Sequence, residues 1–297
     1  SGVTASFPPS GQPINGAAVA VTCQRIADSA GDTQGWAIVV TGGLGGSGKL
    51  TTQAGGEKKI GGRIFVERAS TLGGSITVEN GDVWYGAASC PSPPPSGITY
   101  YPAGVHESIC TPNSWTSLFT APQVNVPVSP VNPATSGGDP DGPGGLRPCV
   151  VYHPGKYTSP LTLNSSAEYY FRAGEYYFEN ASINLADTVA IAGYADGSLG
   201  DTEAFTSQSC GYFQDEDRAD GGSAGATFYF GGNSRLYINK GEFEIMRRLQ
   251  GDRAVSIHAL DVGGTGYIAS TLDLGQDVIL VEEAGTPDFA LHGLLWA

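Results

Sequence analysis

The sequence predicts an all-β chain wound as a parallel β-helix with three short strands per coil. Three observations predict it: a returning triplet, a nearly constant spacing of the triplets, and an abundance of turn formers with little sign of helix. The triplet reads apolar, any residue, apolar, and is bounded by Gly, Asn, Ser or Asp. It occurs as Leu161-Thr162-Leu163, Tyr169-Tyr170-Phe171, Tyr176-Tyr177-Phe178, Ile183-Asn184-Leu185 and Val189-Ala190-Ile191, and later as Phe228-Tyr229-Phe230, Leu236-Tyr237-Ile238 and Phe243-Glu244-Ile245. Side chains alternate between the faces of a strand, so the flanking residues are expected in the core and the middle ones at the surface.

The spacing supplies the winding. First residues fall at 161, 169, 176 and 183, with separations of 8, 7 and 7, so that Leu161 and Ile183 begin equivalent strands one turn apart. The same beat returns at 228, 236 and 243. Stacked turns of this kind bury a continuous core that no single turn makes alone. The alternative is an antiparallel β-sandwich, which also has short strands at regular intervals but favours strands of about 5 or 6 residues.

Composition agrees with an all-β chain. Its 297 residues are 40% hydrophobic, enough for a sizeable core. Gly 44 and Pro 19 make about one residue in five a turn former. The best helical candidate, Glu242 to Gln250, reads more naturally as strand because of Phe243 and Ile245.

Three regions follow in order. Residues 1–88 hold strands at Trp36 to Val40, Ile64 to Val66, Ile76 to Val78 and Val83 to Tyr85, broken by glycine pairs. Residues 89–148 are rich in proline, from Pro91-Ser92-Pro93-Pro94-Pro95 to Pro143. Proline cannot donate to a ladder, so this stretch is expected to wrap over a surface. Residues 149–297 carry the regular repeat, interrupted by an insertion over 193–225 rich in Asp, Gly and Ser.

With 15 basic against 29 acidic residues the net charge is −14, which repels a phosphate backbone and excludes nucleic acid as a partner. The cysteines, Cys23, Cys90, Cys110, Cys149 and Cys210, lie far apart and form no CxxC pair of the zinc or redox kind. In an oxidising compartment the four from Cys90 onward can form two bridges. Of the three connectivities, Cys90 with Cys110 and Cys149 with Cys210 is considered first; five reduced, buried thiols are the alternative. No transmembrane span is read in the sequence. Ser1-Gly2 is not an initiator sequence and Leu291 to Ala297 reads as the start of a further strand, so a longer natural polypeptide is expected.

Three passages carry a resemblance: Cys149 to Tyr157 (CVVYHPGKY), Phe171 to Asn180 (FRAGEYYFEN) and Ala226 to Leu236 (ATFYFGGNSRL). They look like actinobacterial exported β-helix proteins, in which a prepilin-like hydrophobic helix precedes the repeats and a phrase similar to Leu291 to Ala297 recurs near the end of a coil. The resemblance covers residues 149–297 well and the first half loosely, and the residues from Ser1 onward do not spell the prepilin-like helix. It implies a right-handed β-helix, a location outside the cell or at its surface, and a role in surface structure or adhesion, with envelope or filament proteins or a surface glycan as partner. Contact with a membrane is expected only through such an N-terminal segment. The resemblance brings no catalytic motif.

Enzymatic readings are weak on the residues themselves. Gly43 to Lys49 nearly spells a phosphate-binding loop, but Leu50 stands where Ser or Thr must hold magnesium, and the residues after it are poor helix formers. The alternative function is a secreted polysaccharide-binding or polysaccharide-cleaving protein on the same fold. Cleavage needs two carboxylates about 5 to 9 Å apart on one face, and only Glu244 and Asp273 are placed as outward carboxylates. His106, His153, His258 and His292 are scattered without metal-ligand spacing. No motif requires a cofactor. Calcium is the one ion the sequence suggests, at Asp215, Glu216, Asp217 and Asp220 or at Asp139-Pro140-Asp141, though neither has EF-hand spacing. The outward aromatics Tyr170, Tyr177, Tyr229 and Tyr237, with Phe65 and Trp84 at the same parity, suggest a recognition face for glycan or protein. The competing reading lays the proline-rich segment or the insertion over them.

Overall fold

In the computed structural model the described residues are 36–40, 49–52, 57–61, 63–67, 69–72, 75–79, 81–86, 90, 98–101, 103–104, 107–111, 126–127, 129, 135–137, 147–195, 205–221, 224–246, 248–250, 253–260, 263–268, 277–280, 288–291 and 294–296. They are dominated by short strands, in parallel sheets. Among the described strands only Thr135–Gly137 on Cys149–Tyr152 and Arg248–Gln250 on Arg253–Ala259 pair antiparallel, and outside them Gly264 and Tyr267 form an antiparallel bridge. Parallel pairing removes the antiparallel sandwich.

The longest sheet runs in the order Gly155–Tyr157, Gly174–Glu179, Ala226–Gly231, Arg253–Ala259, Leu294–Trp296, Trp36–Val40, Arg63–Val66, Val83–Tyr85, Ser108–Cys110. A second sheet holds Cys149–Tyr152, Glu168–Phe171, Ile183–Ala192, Leu236–Ile245 and Asp288–Leu291, with Leu161–Asn164 beside the first half of Ile183–Ala192. Two three-stranded sheets complete the set: Asp277–Leu280, Lys49–Thr52 and Ala69–Leu72, and Glu57–Gly61, Ser75–Glu79 and Ile98–Tyr101. Leu161 pairs in register with Ile183, the two residues that the spacing makes equivalent.

The triplet flanks do form the core. Tyr169, Phe171, Tyr176, Phe178, Phe228, Phe230, Phe243 and Ile245 belong to one buried cluster. Its rings pack at close range: Tyr152 on Phe171 at 4.7 Å, Phe171 on Phe228 at 5.2 Å and Phe178 on Phe230 at 5.3 Å between centroids. Buried hydroxyls find carbonyls, as phenols must in an apolar interior: Tyr157 donates to the His153 carbonyl at 2.6 Å and Tyr176 to that of Arg172 at 2.7 Å.

One triplet faces the other way. Ala190 points into the core while Val189 and Ile191 pack on the outside. The cause lies just upstream, where Asp187 takes φ 59° and the pairing with Leu236–Ile245 shifts register between Leu185 and Thr188. One irregular residue reverses every following side chain. The same corner needs Gly241, at φ 108°, because a Cβ there would lie 2.1 Å from the Thr188 carbonyl oxygen.

The helix sits where the sequence suggested none. Glu242 to Gln250 is strand, in Leu236–Ile245 and Arg248–Gln250, whereas Gly211–Ala219 (α1) is helical within the insertion. The insertion leaves at Gly193 and returns at Gly225, both at positive φ, with backbones so close that a Cβ on Gly193 would lie 2.4 Å from the Gly225 Cα. The Gly193 N–H donates to the Phe171 carbonyl and the Gly174 N–H to that of Gly225. After Lys49 the chain continues as strand Lys49–Thr52 and not as a helix; Gly43 to Gly48 lie outside the described residues.

Truncating the ring at the centre of the core should show what this packing contributes. Phe228→Ala is expected to cost about 3–5 kcal/mol, read as a lower urea midpoint by circular dichroism, while Thr162→Ala at an exposed position should stay within about 0.5 kcal/mol.

Candidate functional site

Outward rows of side chains stack as the parallel register demands. Tyr177 faces Tyr229, Tyr229 faces His258, and Phe65 faces Trp84. The predicted alignment of aromatics therefore exists, but its exposure does not: Tyr170, Tyr177 and Tyr229 are 0% exposed. Tyr237, at 42%, is the one predicted tyrosine that meets solvent. Each of the other three has an identifiable cover.

Tyr170 lies beneath the insertion. With Cys149, Val151, Ile191 and Cys210 it forms a second apolar cluster, against which Phe213 of α1 packs. The Cys149–Cys210 bridge fixes the start of the helix to the sheet, and a second bridge joins Cys90 and Cys110. Asp217 then pins the last turns. One of its oxygens accepts from the Tyr170 hydroxyl at 2.9 Å and the Ala173 N–H at 3.1 Å, and the other pairs with Arg172, which also grips Glu216. Burial, and then the negative charge of Asp217, push the Tyr170 phenol far above its ordinary range, so it acts only as a donor. Glu168 accepts from the Ser207 hydroxyl at 2.6 Å and the Ser209 N–H at 3.0 Å, and Glu244 accepts from the Phe205 N–H at 3.1 Å.

These contacts correct two expectations. Calcium at Asp215, Glu216, Asp217 and Asp220 is not supported: Arg172 takes Glu216 and Asp217, Arg218 takes Asp215, and Asp220 caps the helix with its backbone N–H on the Glu216 carbonyl. Among the described residues no cluster of three or more His, Cys, Asp or Glu is placed to hold a metal. Glu244 is not an outward catalytic carboxylate either, being 0% exposed beneath the insertion. Asp273, His106, His292 and Asp139 to Asp141 lie outside the described residues.

Tyr177 and Tyr229 are covered by other material. Leu260 completes their cluster, and Val126 from the proline-rich segment and Tyr267 pack against it. The Tyr177 hydroxyl donates to Glu179 at 2.8 Å and accepts from the Ile268 N–H at 2.9 Å. Lys156 reaches the other Glu179 oxygen at 2.8 Å, and this bond to Lys156 holds the carboxyl below its usual range. His258, 5.7 Å from the Tyr229 ring, is buried, and burial lowers its pKa to about 4.

The third outward row stays open. Thr162, Asn184 and Tyr237 stand side by side in register on three successive strands. Thr162 and Tyr237 are exposed, Asn184 is half-buried, and Arg235 donates to the Tyr237 hydroxyl at 3.0 Å. Thr162 and Asn184 are triplet middles whose polarity marked them as outward; attention to aromatics alone passes over them. Arg172 and Glu168, at the two ends of one triplet, carry no periodic signal, since each acts through partners about forty residues away.

No family model, no curated protein and no solved structure matches this chain.

Two outcomes are expected at the covers. Asp217→Ala should cost about 1–3 kcal/mol by stranding the Tyr170 hydroxyl and the Ala173 N–H, and should raise hydrogen exchange in α1 before that of the core strands. His258 contributes a defined pH dependence. Between pH 6.5 and 4 the unfolded chain binds a proton that the native imidazole refuses, so this residue withdraws stability as pH falls through that window, by up to about 3 kcal/mol. Urea titrations across the window should show a shallower slope for His258→Gln; an unchanged slope would mean that the native ring titrates freely.

Proposed function

We propose that this chain is an exported surface module, structural and adhesive rather than catalytic, built on a right-handed parallel β-helix whose outward row at Thr162, Asn184 and Tyr237 binds a surface glycan or an envelope protein. Rotation of the chain through parallel sheets, with equivalent residues stacked across turns, supports the helical winding, and right-handedness is the rule for parallel crossovers. Two disulfides fit an oxidising, extracellular location, and among the described residues no helix is long and apolar enough to cross a membrane.

One observation carries the binding part of this reading. Where tyrosines were predicted to be outward, two rows are sealed by the chain's own segments, and the row Thr162, Asn184, Tyr237 is left open with an aromatic ring and amide and hydroxyl groups in line. Aromatic faces with polar tips suit sugar rings and polar protein surfaces alike.

The test is a glycan array and polysaccharide pull-down with the protein, with reducing-end release assayed in the same wells. Binding without product is expected, together with at least a tenfold loss of affinity for Tyr237→Ser at unchanged melting temperature. Tyr170→Ser is expected to do the reverse, lowering stability and leaving binding intact. Release of product would replace the adhesive reading with the enzymatic one.

A further inference from the structure

The longest sheet contains a junction between strands far apart in sequence. Leu294–Trp296 lies between Arg253–Ala259, which precedes it in the chain, and Trp36–Val40, from the other end. The pairs Ile38 with Leu295 and Val39 with Trp296 are parallel and in register. The neighbouring sheet repeats the junction, with Lys49 opposite Asp277 and Thr52 opposite Leu280. Strands from 36 to 110 otherwise pair among themselves, as do those from 135 to 296. Among the described strands, all pairing between the two blocks runs through these two ladders.

The covalent link between the blocks is the segment after Thr111. Its later part already belongs to the second block: Val126 packs on Tyr177 and Tyr229, the Ser129 carbonyl accepts from the Lys156 N–H, and Thr135–Gly137 pairs with Cys149–Tyr152. That leaves residues 112–125 as the connection. At about 3.3 Å per residue it reaches about 45 Å. The climb from Tyr177 and Tyr229 to Ser108–Cys110 crosses six or seven strand spacings of about 4.8 Å, or about 31 Å. A line of that length can rise so far and still step sideways by about 30 Å, as far as a second molecule lying alongside.

We propose that the junction is exchangeable: a second copy of this chain supplies its 36–110 block to Leu294–Trp296 and Asp277–Leu280, and receives the other's in return. Every described strand pairing in such a dimer already exists within one chain, so the balance is set by concentration against the effective concentration of the tether. The proposal rests on strand register alone and is independent of the glycan reading.

The test uses the full chain with Cys23→Ser, which removes the thiol outside the two bridges. Lys49→Cys and Asp277→Cys are made as separate proteins, mixed in equal amounts, held in sub-denaturing urea without reductant, returned to buffer and treated with a short bismaleimide. A cross-linked heterodimer is expected, with a dimer-to-monomer ratio that rises about tenfold for a tenfold rise in protein during incubation. The double variant in one chain should cross-link as a monomer, which checks the register. Thr52→Cys with Leu280→Cys repeats the experiment one end of the ladder away if either first variant folds poorly by circular dichroism. Monomer alone at every concentration overturns the proposal. So does a dimer seen by light scattering without cross-linking between the two variants, or equal cross-linking when Thr162→Cys replaces Lys49→Cys.

Discussion

Parallel pairing in register places each side chain beside its counterpart on the neighbouring strand, and the rest of the structure follows from that like-on-like stacking. Phe178 meets Phe230, Tyr177 meets Tyr229 and Ile38 meets Ile64. The row of Tyr177 and Tyr229 runs on to Lys156 on one side and His258 on the other, so a row need not keep one character along its length. Rows pointing inward make the aromatic core. An apolar row pointing outward needs a second layer, as parallel sheets generally do on both faces. The insertion and the proline-rich segment provide those layers, over Tyr170 and over Tyr177 and Tyr229 respectively.

Period two made the strands legible, and the spacing of triplets made the turn legible. Leu161 opposite Ile183 and the strands Trp36–Val40 and Val83–Tyr85 were readable because their apolar residues alternate without interruption. Alternation alone gives a side but not its surroundings. Tyr170 reads outward correctly, and of the two readings left open for it, a recognition face or a surface covered by the insertion, the second holds; the sequence near it carries no mark of the helix forty residues on that does the covering. Val189 to Ile191 was assigned to the wrong side because a positive φ at Asp187 is invisible in an apolar pattern. The helix Gly211–Ala219 was missed for a related reason: its four acidic and basic side chains read as a solvated loop, and the partner that makes them structural, Arg172, lies in another region.

Cations are scarce in this acidic chain, and among the described residues several stand at seams. Arg172 joins the insertion to the sheet beneath it, and Lys156 joins Glu179 beside the cover of Tyr177. Partly buried pairs such as these are screened by salt far less than pairs in open solvent. Their value is positional: removing one partner leaves a charge facing an apolar layer, so each seam tolerates little displacement.

The neck formed by Gly193 and Gly225 separates the history of the insertion from that of the sheets. The two touching backbones hold the ends of the insertion together, while residues 205–217 within it are fixed to the sheet by the bridge and by Asp217, and the entropy of closing a loop grows only with the logarithm of its length. The stretches between the neck and those covering residues can therefore lengthen or shorten without moving a strand out of step. The fold has in effect a socket: one place where new surface can be acquired while the framework, already closed beneath it, keeps its form.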